Sequence, residues 1–219
     1  MPLGRVPTPV SFADLATAAY CPRQLYYRRM EDAYDLPASV ERVRDLASRY
    51  PTLVEASDAA LRNTVAVEPA TYRARLGAVL TRYPGLASPD ETDVLLTGKD
   101  CRGRVAKIVS PLAPTLVSPG EPPETGVWEP QKVRAVAAAK ALAWRERAPV
   151  EYAYVEYPRH GIVREVSITT RAKAAYRRVL RAVRGMDGPP SRLGDDAKCG
   201  GCDYRERCGV RTRSLSSLL

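Results

Sequence analysis

Four of the five cysteines in this 219-residue chain fall in two groups, one near the start and three near the end. Cys21 stands in Ala-Ala-Tyr-Cys-Pro-Arg, and Cys199, Cys202 and Cys208 lie in Lys198-Cys-Gly-Gly-Cys-Asp-Tyr-Arg-Glu-Arg-Cys208. Thiolates are soft ligands, so such a set suits zinc or an iron–sulfur centre. Cys199 and Cys202 form C-x-x-C, and Gly200 and Gly201 between them predict a tight turn that aims both thiols at one centre. Cys208 adds a third donor and Cys21 is the candidate fourth. A shared centre would staple the two ends of the chain together.

Structural zinc accepts four thiolates, although zinc ribbons usually draw on two short-spaced pairs. On spacing alone, iron–sulfur and zinc both stay open. Disulfides fit less well, because the N-terminus has no apolar signal-peptide core and no apolar run is long enough to span a membrane. The expected setting is therefore a reducing cytoplasm, with no membrane partner. A thioredoxin-like pair is also disfavoured, since this C-x-x-C does not open a helix after a strand. Cys101, the remaining thiol, is expected to be a buried apolar residue.

A chain of this length with 45% hydrophobic residues can bury one sizeable core. Its formal charge of +9 favours polyanionic partners, nucleic acid before an anionic membrane surface. Part of the excess is local. In residues 171–184, Ala172, Ala175, Tyr176, Val179, Leu180 and Val183 recur at helical spacing, and Lys173, Arg177, Arg178, Arg181 and Arg184 fall mostly on the other side. That face is either a solvated helix surface or one that tracks phosphates.

The elements that would position these residues follow from pattern. Ser11 and Asp14 predict a capping box opening a helix that Pro22 interrupts just after Cys21. Residues 37–86 read as largely helical, with stripes at Val40, Val43, Leu46 and Ala47 and at Tyr72, Leu76, Val79 and Leu80. Strands are expected around Val94, over Val105–Val109 and around Thr115–Val117, the last inside a Pro/Gly-rich loop from Ser110 to Pro130. Gln131–Arg147 predicts a helix with Val133, Val136, Ala137, Leu142 and Trp144 on its apolar side. Strands at Val150–Tyr157 and Ile162–Ile168 are joined by a turn at Pro158-Arg-His-Gly161. The basic helix and a Gly/Pro-rich linker over Met186–Asp196 lead into the cysteine loop.

This order of elements resembles the CRISPR-associated RecB-type exonucleases, the Cas-four group of the PD-(D/E)XK nuclease superfamily. The likeness rests on Tyr20-Cys-Pro-Arg23 with Leu25-Tyr-Tyr27 and on Lys198–Cys208, with weaker matches at Gly103-Arg-Val105, Pro114–Pro123 and the hairpin plus basic helix. It covers most of the chain from Ser11 to Gly209 and is poor between residues 37 and 92. It implies an α/β fold: a RecB-like nuclease core of a small mixed sheet flanked by helices, one domain over 1–219. Residues 11–30 and 197–209 would together form an iron–sulfur module. It further implies a 4Fe-4S cluster on Cys21, Cys199, Cys202 and Cys208, with zinc as the alternative, and DNA as partner, single-stranded or at ends, together with CRISPR adaptation proteins.

Phosphodiester hydrolysis needs carboxylates to hold Mg²⁺ or Mn²⁺ and a lysine to orient water. The family supplies an aspartate after Gly-x-x, a Glu-x-Lys in the next strand, and a Gln-x-x-x-Tyr on the following helix. Here Ala106, Leu116, Ser118, Arg134 and Ala138 stand at those positions, and the only histidine, His160, lies in the hairpin turn. Asp100, Glu121 and Glu124 are alternative acids, read more simply as solvated loop carboxylates. The expected function is DNA binding or scaffolding on a site that has lost hydrolysis, with neutral Ala106 and Leu116 forming part of a binding surface. The alternatives are an active Mg- or Mn-dependent exonuclease and a zinc-stapled structural protein.

Overall fold

A computed structural model describes residues 9–31 and 38–209, so the ends of the expected 1–219 domain and residues 32–37 lie outside the described residues. The elements run β1 (Val10–Ser11), α1 (Phe12–Tyr20), α2 (Pro22–Arg29), α3 (Ala38–Ser48), α4 (Tyr50–Val54), α5 (Asp58–Arg62), α6 (Pro69–Arg82), β2 (Glu91–Thr97), β3 (Cys101–Val109), β4 (Ala113–Val117), α7 (Glu129–Glu146), β5 (Tyr152–Tyr157), β6 (Ile162–Ser167), α8 (Thr170–Arg184) and α9 (Asp196–Gly200). The strands form one mixed six-stranded sheet of order β1-β3-β4-β5-β6, with β2 also paired to β3. β4 and β5 are parallel and joined through α7, whereas β3/β4 and β5/β6 are antiparallel. Helices cover both faces. Phe12, Leu15, Leu25, Leu142, Tyr176 and Leu180, from α1, α2, α7 and α8, fill one apolar cluster. Leu46, Tyr50, Leu61, Tyr72 and Leu76, from α3 to α6, fill the other.

The break between α1 and α2 is a local consequence of Pro22. A residue before proline is pushed out of the helical region, and Cys21 is accordingly extended, with φ −155° and ψ 113°. Pro22 then begins α2 at the position where its missing N–H costs nothing. Ser11 caps α1 as expected, accepting from the Asp14 amide at 2.9 Å. The reciprocal half of the capping box is absent: the Asp14 carboxylate instead pairs with Arg29 on α2 at 2.8 Å and fixes the angle between the two helices.

β3 begins at Cys101, four residues before the expected start at Val105, because Gly103 reads as a breaker. Its role is to leave room. A Cβ added at Gly103 would sit 2.3 Å from Cδ2 of Phe12, so the α1 ring lies directly on the strand backbone. The two-residue β1, which local pattern did not predict, pairs parallel with Cys101 and Arg102 and holds Phe12 there. α7 is the expected alanine-rich helix, with Ala135, Ala137, Ala138 and Ala141 completely buried against the sheet. Trp144, expected on its apolar side, is 60% exposed, while the next residue, Arg145, pairs with Glu91 at the start of β2.

Among the described residues no helix is long and apolar enough to cross a membrane. Gly103→Ala should destabilise the fold by about 1–3 kcal/mol through overpacking against Phe12. Gly77→Ala in α6, where an added Cβ meets nothing within 4 Å, should be neutral or stabilising by up to about 1 kcal/mol. Urea unfolding of the two variants checks the contrast.

Candidate metal centre and the polar sites of the strand core

Cys21, Cys199, Cys202 and Cys208 line one cavity, with Tyr20, Tyr27 and Tyr204 among its walls and Arg23, Arg192, Lys198 and Arg205 contributing four cations. All four thiols are free and half-buried. Cys21 reaches the cavity because it sits extended at the α1/α2 junction, its amide bonded to Thr17 O at 2.8 Å. The other three lie on a run of turns. Asp195 caps α9 through the Lys198 amide at 3.2 Å. The Cys199 amide bonds to Asp195 O, that of Cys202 to Cys199 O and that of Cys208 to Tyr204 O. The expected glycine turn takes a different form: Gly200 ends α9 and Gly201 has φ −100°, so neither uses the left-handed region. The left-handed residue is Gly209 at φ +63°, just after Cys208.

Side chains of α1 and α2 hold the cysteine loop in place without any contribution from the thiols. Tyr20 donates to Lys198 O at 3.3 Å, Arg23 to Pro190 O at 2.9 Å and Tyr27 to Arg207 O at 3.3 Å. Glu31 accepts from Tyr204 and from Arg207, each at 2.8 Å. The Tyr27 and Tyr204 rings stack at 5.8 Å. Burial, then the neighbouring Cys202, Asp195, Cys199 and Cys21, raise the Tyr20 phenol above its ordinary value, so it remains an O–H donor at neutral pH.

Among the described residues, no group of three or more His, Cys, Asp or Glu side chains is arranged to hold a metal ion. The four thiols thus border a common space rather than meeting at one point. A tetrahedral zinc requires every sulfur about 2.3 Å from a single centre. A cubane would take one thiolate on each of its four irons.

The basic helix is built as the spacing indicates. Ala172, Tyr176, Leu180 and Val183 are buried, while Lys173, Arg177, Arg178, Arg181 and Arg184 are exposed. Arg184 is engaged by Asp100 at 3.1 Å, which accounts for one of the acids considered as an alternative metal ligand. Glu121 and Glu124 serve through main-chain oxygens, which accept from the Trp128 indole and from Arg164.

The five positions aligned with nuclease motifs do not face one space. Leu116 is 2% exposed and packs with Ala138 in the α1/α7 cluster, whereas Ala106 packs against the α3–α6 cluster. The expectation that Ala106 and Leu116 form part of one binding surface is therefore corrected: Leu116 is core. Ser118 is buried and accepts from Gln131 Nε2 at 2.7 Å, and the Gln131 carbonyl oxygen accepts from the Tyr157 hydroxyl. Arg134 donates to Val117 O at 3.3 Å. Burial, then the charge of Arg44, lower its guanidinium to about 10.

The polar cluster that sequence reasoning missed is a buried ion pair across β3, β4 and β5. Lys107 donates to Glu156 at 3.1 Å and to Leu86 O at 3.1 Å, and Thr115 donates to the other Glu156 oxygen. Tyr50 hydrogen-bonds the same carboxylate, and its phenol is pushed well above its ordinary value by burial and then by the Glu156 charge. The Lys107 ammonium also lies 4.3 Å from the centre of the Tyr50 ring. Lys107 is 3% exposed and Glu156 is fully buried. Both carboxylate oxygens accept hydrogen bonds, so this lysine and glutamate lock strands together. The available signal was a single lysine in Val105–Val109 and a single glutamate in Tyr152–Tyr157, since a lone charge in a doubly covered strand needs a partner.

Lys107→Met, which leaves Glu156 buried and uncompensated, should cost about 3–5 kcal/mol in urea unfolding. The double variant Lys107→Met/Glu156→Gln should lose less than the sum of its two single variants. Additive losses would show that the two side chains act independently. No protein-family model matches this chain, and no curated protein matches it.

Proposed function

We propose that this chain is an iron–sulfur protein of the RecB-type, Cas-four-like kind that binds DNA without hydrolysing it. The observation that carries the reading is the convergence of four cysteines, from the two ends of the described chain, on the walls of one cavity. Bound there, a 4Fe-4S cluster supplies iron–thiolate bonds that tie the α1/α2 junction to the α9 loop. The chain's own residues do the rest. Tyr20, Arg23, Tyr27 and Glu31 hold the loop in register, and the four cations on the cavity offset the negative charge of four thiolates.

DNA binding is supported by the exposed face of α8, where residues 170–184 contain no acid but six exposed basic residues, of which Arg184 is paired with Asp100 from outside the helix. Such a face attracts phosphates without reading sequence. Loss of hydrolysis is supported by the strand core. Leu116, at the glutamate position, is buried among apolar side chains. Ser118 is occupied by Gln131, and the buried Glu156–Lys107 pair is bonded to Thr115 and to Leu86 O. The proposed setting, a DNA-processing assembly such as CRISPR adaptation, follows from the resemblance alone.

Anaerobically purified protein should be brown, with a broad visible absorption that Cys21→Ser bleaches and Cys101→Ser leaves intact. Protein that is colourless under these conditions and carries stoichiometric zinc would contradict the cluster. DNA affinity should fall steeply with salt, and replacing Arg177 and Arg181 with glutamine should flatten that slope. An unchanged slope would make the helix face merely solvated. Cluster-loaded protein in Mg²⁺ or Mn²⁺ should leave linear DNA intact, and metal-dependent cleavage that survives further purification would show an active site elsewhere in the chain.

A further inference from the structure

The two outer strands β2 and β6 differ in how they end the sheet. β2 pairs only with β3, and its register skips Asp93, which has φ +51°. A kink of this kind protects an edge against further pairing. β6 has none: each residue from Ile162 to Ser167 pairs with β5 in unbroken register. Just beyond that ladder the Ile168 amide donates to Glu151 O at 2.7 Å. Because hydrogen-bonded and non-bonded positions alternate in an antiparallel ladder, the N–H and C=O groups of Val163, Glu165 and Ser167 point away from β5. No further strand covers them among the described residues.

A groove of about 690 Å³ lies along this strand, bounded by Glu165–Ser167 of β6, by Glu129 and Lys132 of α7 and by Arg171 and Arg178 of α8. Glu165 stands directly opposite Tyr154 on β5, and burial, then Tyr152 and Glu165, raise the Tyr154 phenol. Its carboxylate therefore shares the Tyr154 face, on the α3–α6 side of the sheet. That leaves three cations on the α7/α8 side against Glu129. An open ladder edge is completed by another extended chain, whose N–H and C=O groups repeat at the same spacing, and phosphates offer no such row. A second copy would bring its own basic α8, on a chain of formal charge +9, against the same cations. We infer that β6 takes up an extended acidic segment of a partner protein as an additional strand, its carboxylates directed at Lys132, Arg171 and Arg178. This partner site stands apart from DNA binding, although both draw on Arg178.

The probe is an end-blocked, fluorescent octapeptide alternating threonine and glutamate, titrated by anisotropy with the anaerobically purified full-length protein. It should bind, and its threonine–lysine counterpart should not. N-methylation of all its glutamates removes one row of peptide N–H groups, and N-methylation of all its threonines removes the other. Only one row can face β6, so one methylated peptide should bind on the order of tenfold more weakly, or worse, while the other stays close to the parent. Arg171→Gln should weaken the parent peptide several-fold. Ser167→Pro removes an outward N–H without touching the β5 ladder and should weaken it as well. A parent peptide that does not bind, or two methylated peptides that bind alike, overturns the strand site whatever the DNA affinity. Oligothymidylate binding that depends on Arg171 while the peptide fails would assign the groove to nucleic acid. A dimer in sedimentation that Ser167→Pro dissolves would assign it to a second copy, and either result overturns the proposal.

Discussion

Cys21 precedes Pro22, and that adjacency governs the one place where the two ends of the described chain meet. Proline excludes the helical conformation from the residue before it, so α1 stops at Tyr20 and Cys21 is extended at the junction. Because α2 restarts at once, Tyr27 and Glu31 are carried to the cysteine loop, where they bond to Arg207 and Tyr204, and Arg23 to Pro190 in the linker before it. A continuous helix would carry neither the thiol nor these side chains to that loop. The Asp14–Arg29 pair then fixes the angle between the helices, and Phe12 seated on Gly103 ties α1 to the sheet. The cysteine site is thus connected mechanically to the strand core through one short helix.

The core is held by a different kind of interaction. Lys107, Thr115, Tyr50 and Glu156 join β3, β4, β5 and α4 through charges and hydroxyls almost wholly removed from water. An ion pair in such a place adds little stability relative to apolar packing but is costly to break. The same residue types, a lysine and a carboxylate on neighbouring strands, would serve a nuclease if they faced a cleft with free lone pairs. Here Thr115, Lys107 and Tyr50 all hydrogen-bond the Glu156 carboxylate, which lies in the core rather than in a cleft.

Much of this was legible in the sequence where the signal is local. Ser11 as a cap, the break at Pro22, the alanine run of α7, the hairpin around Gly161 and the two faces of α8 each arise from one residue's backbone preference or from a repeat of 3.6 or two. What was not legible depends on contacts distant in sequence. β1 is too short to carry a pattern and exists because Val10 and Ser11 find Cys101 and Arg102. Gly103 reads as a strand breaker until Phe12 is seen above it. Strict alternation fails in β3, where Val105 and Ile108 belong to one cluster and Ala106 and Val109 to the other. Aligning motifs by counting residues along that strand therefore could not say which side chains share a face. The four cysteines were singled out by residue type and spacing, and they line one cavity.

The central claim is that those four sulfurs hold one cubane, and native mass spectrometry of anaerobically purified protein tests it most directly. The account predicts a folded chain heavier than its sequence by about four irons and four sulfides, with that increment lost in Cys21→Ser and kept in Cys101→Ser. A single zinc increment, or an iron–sulfur increment that survives Cys21→Ser, would contradict it.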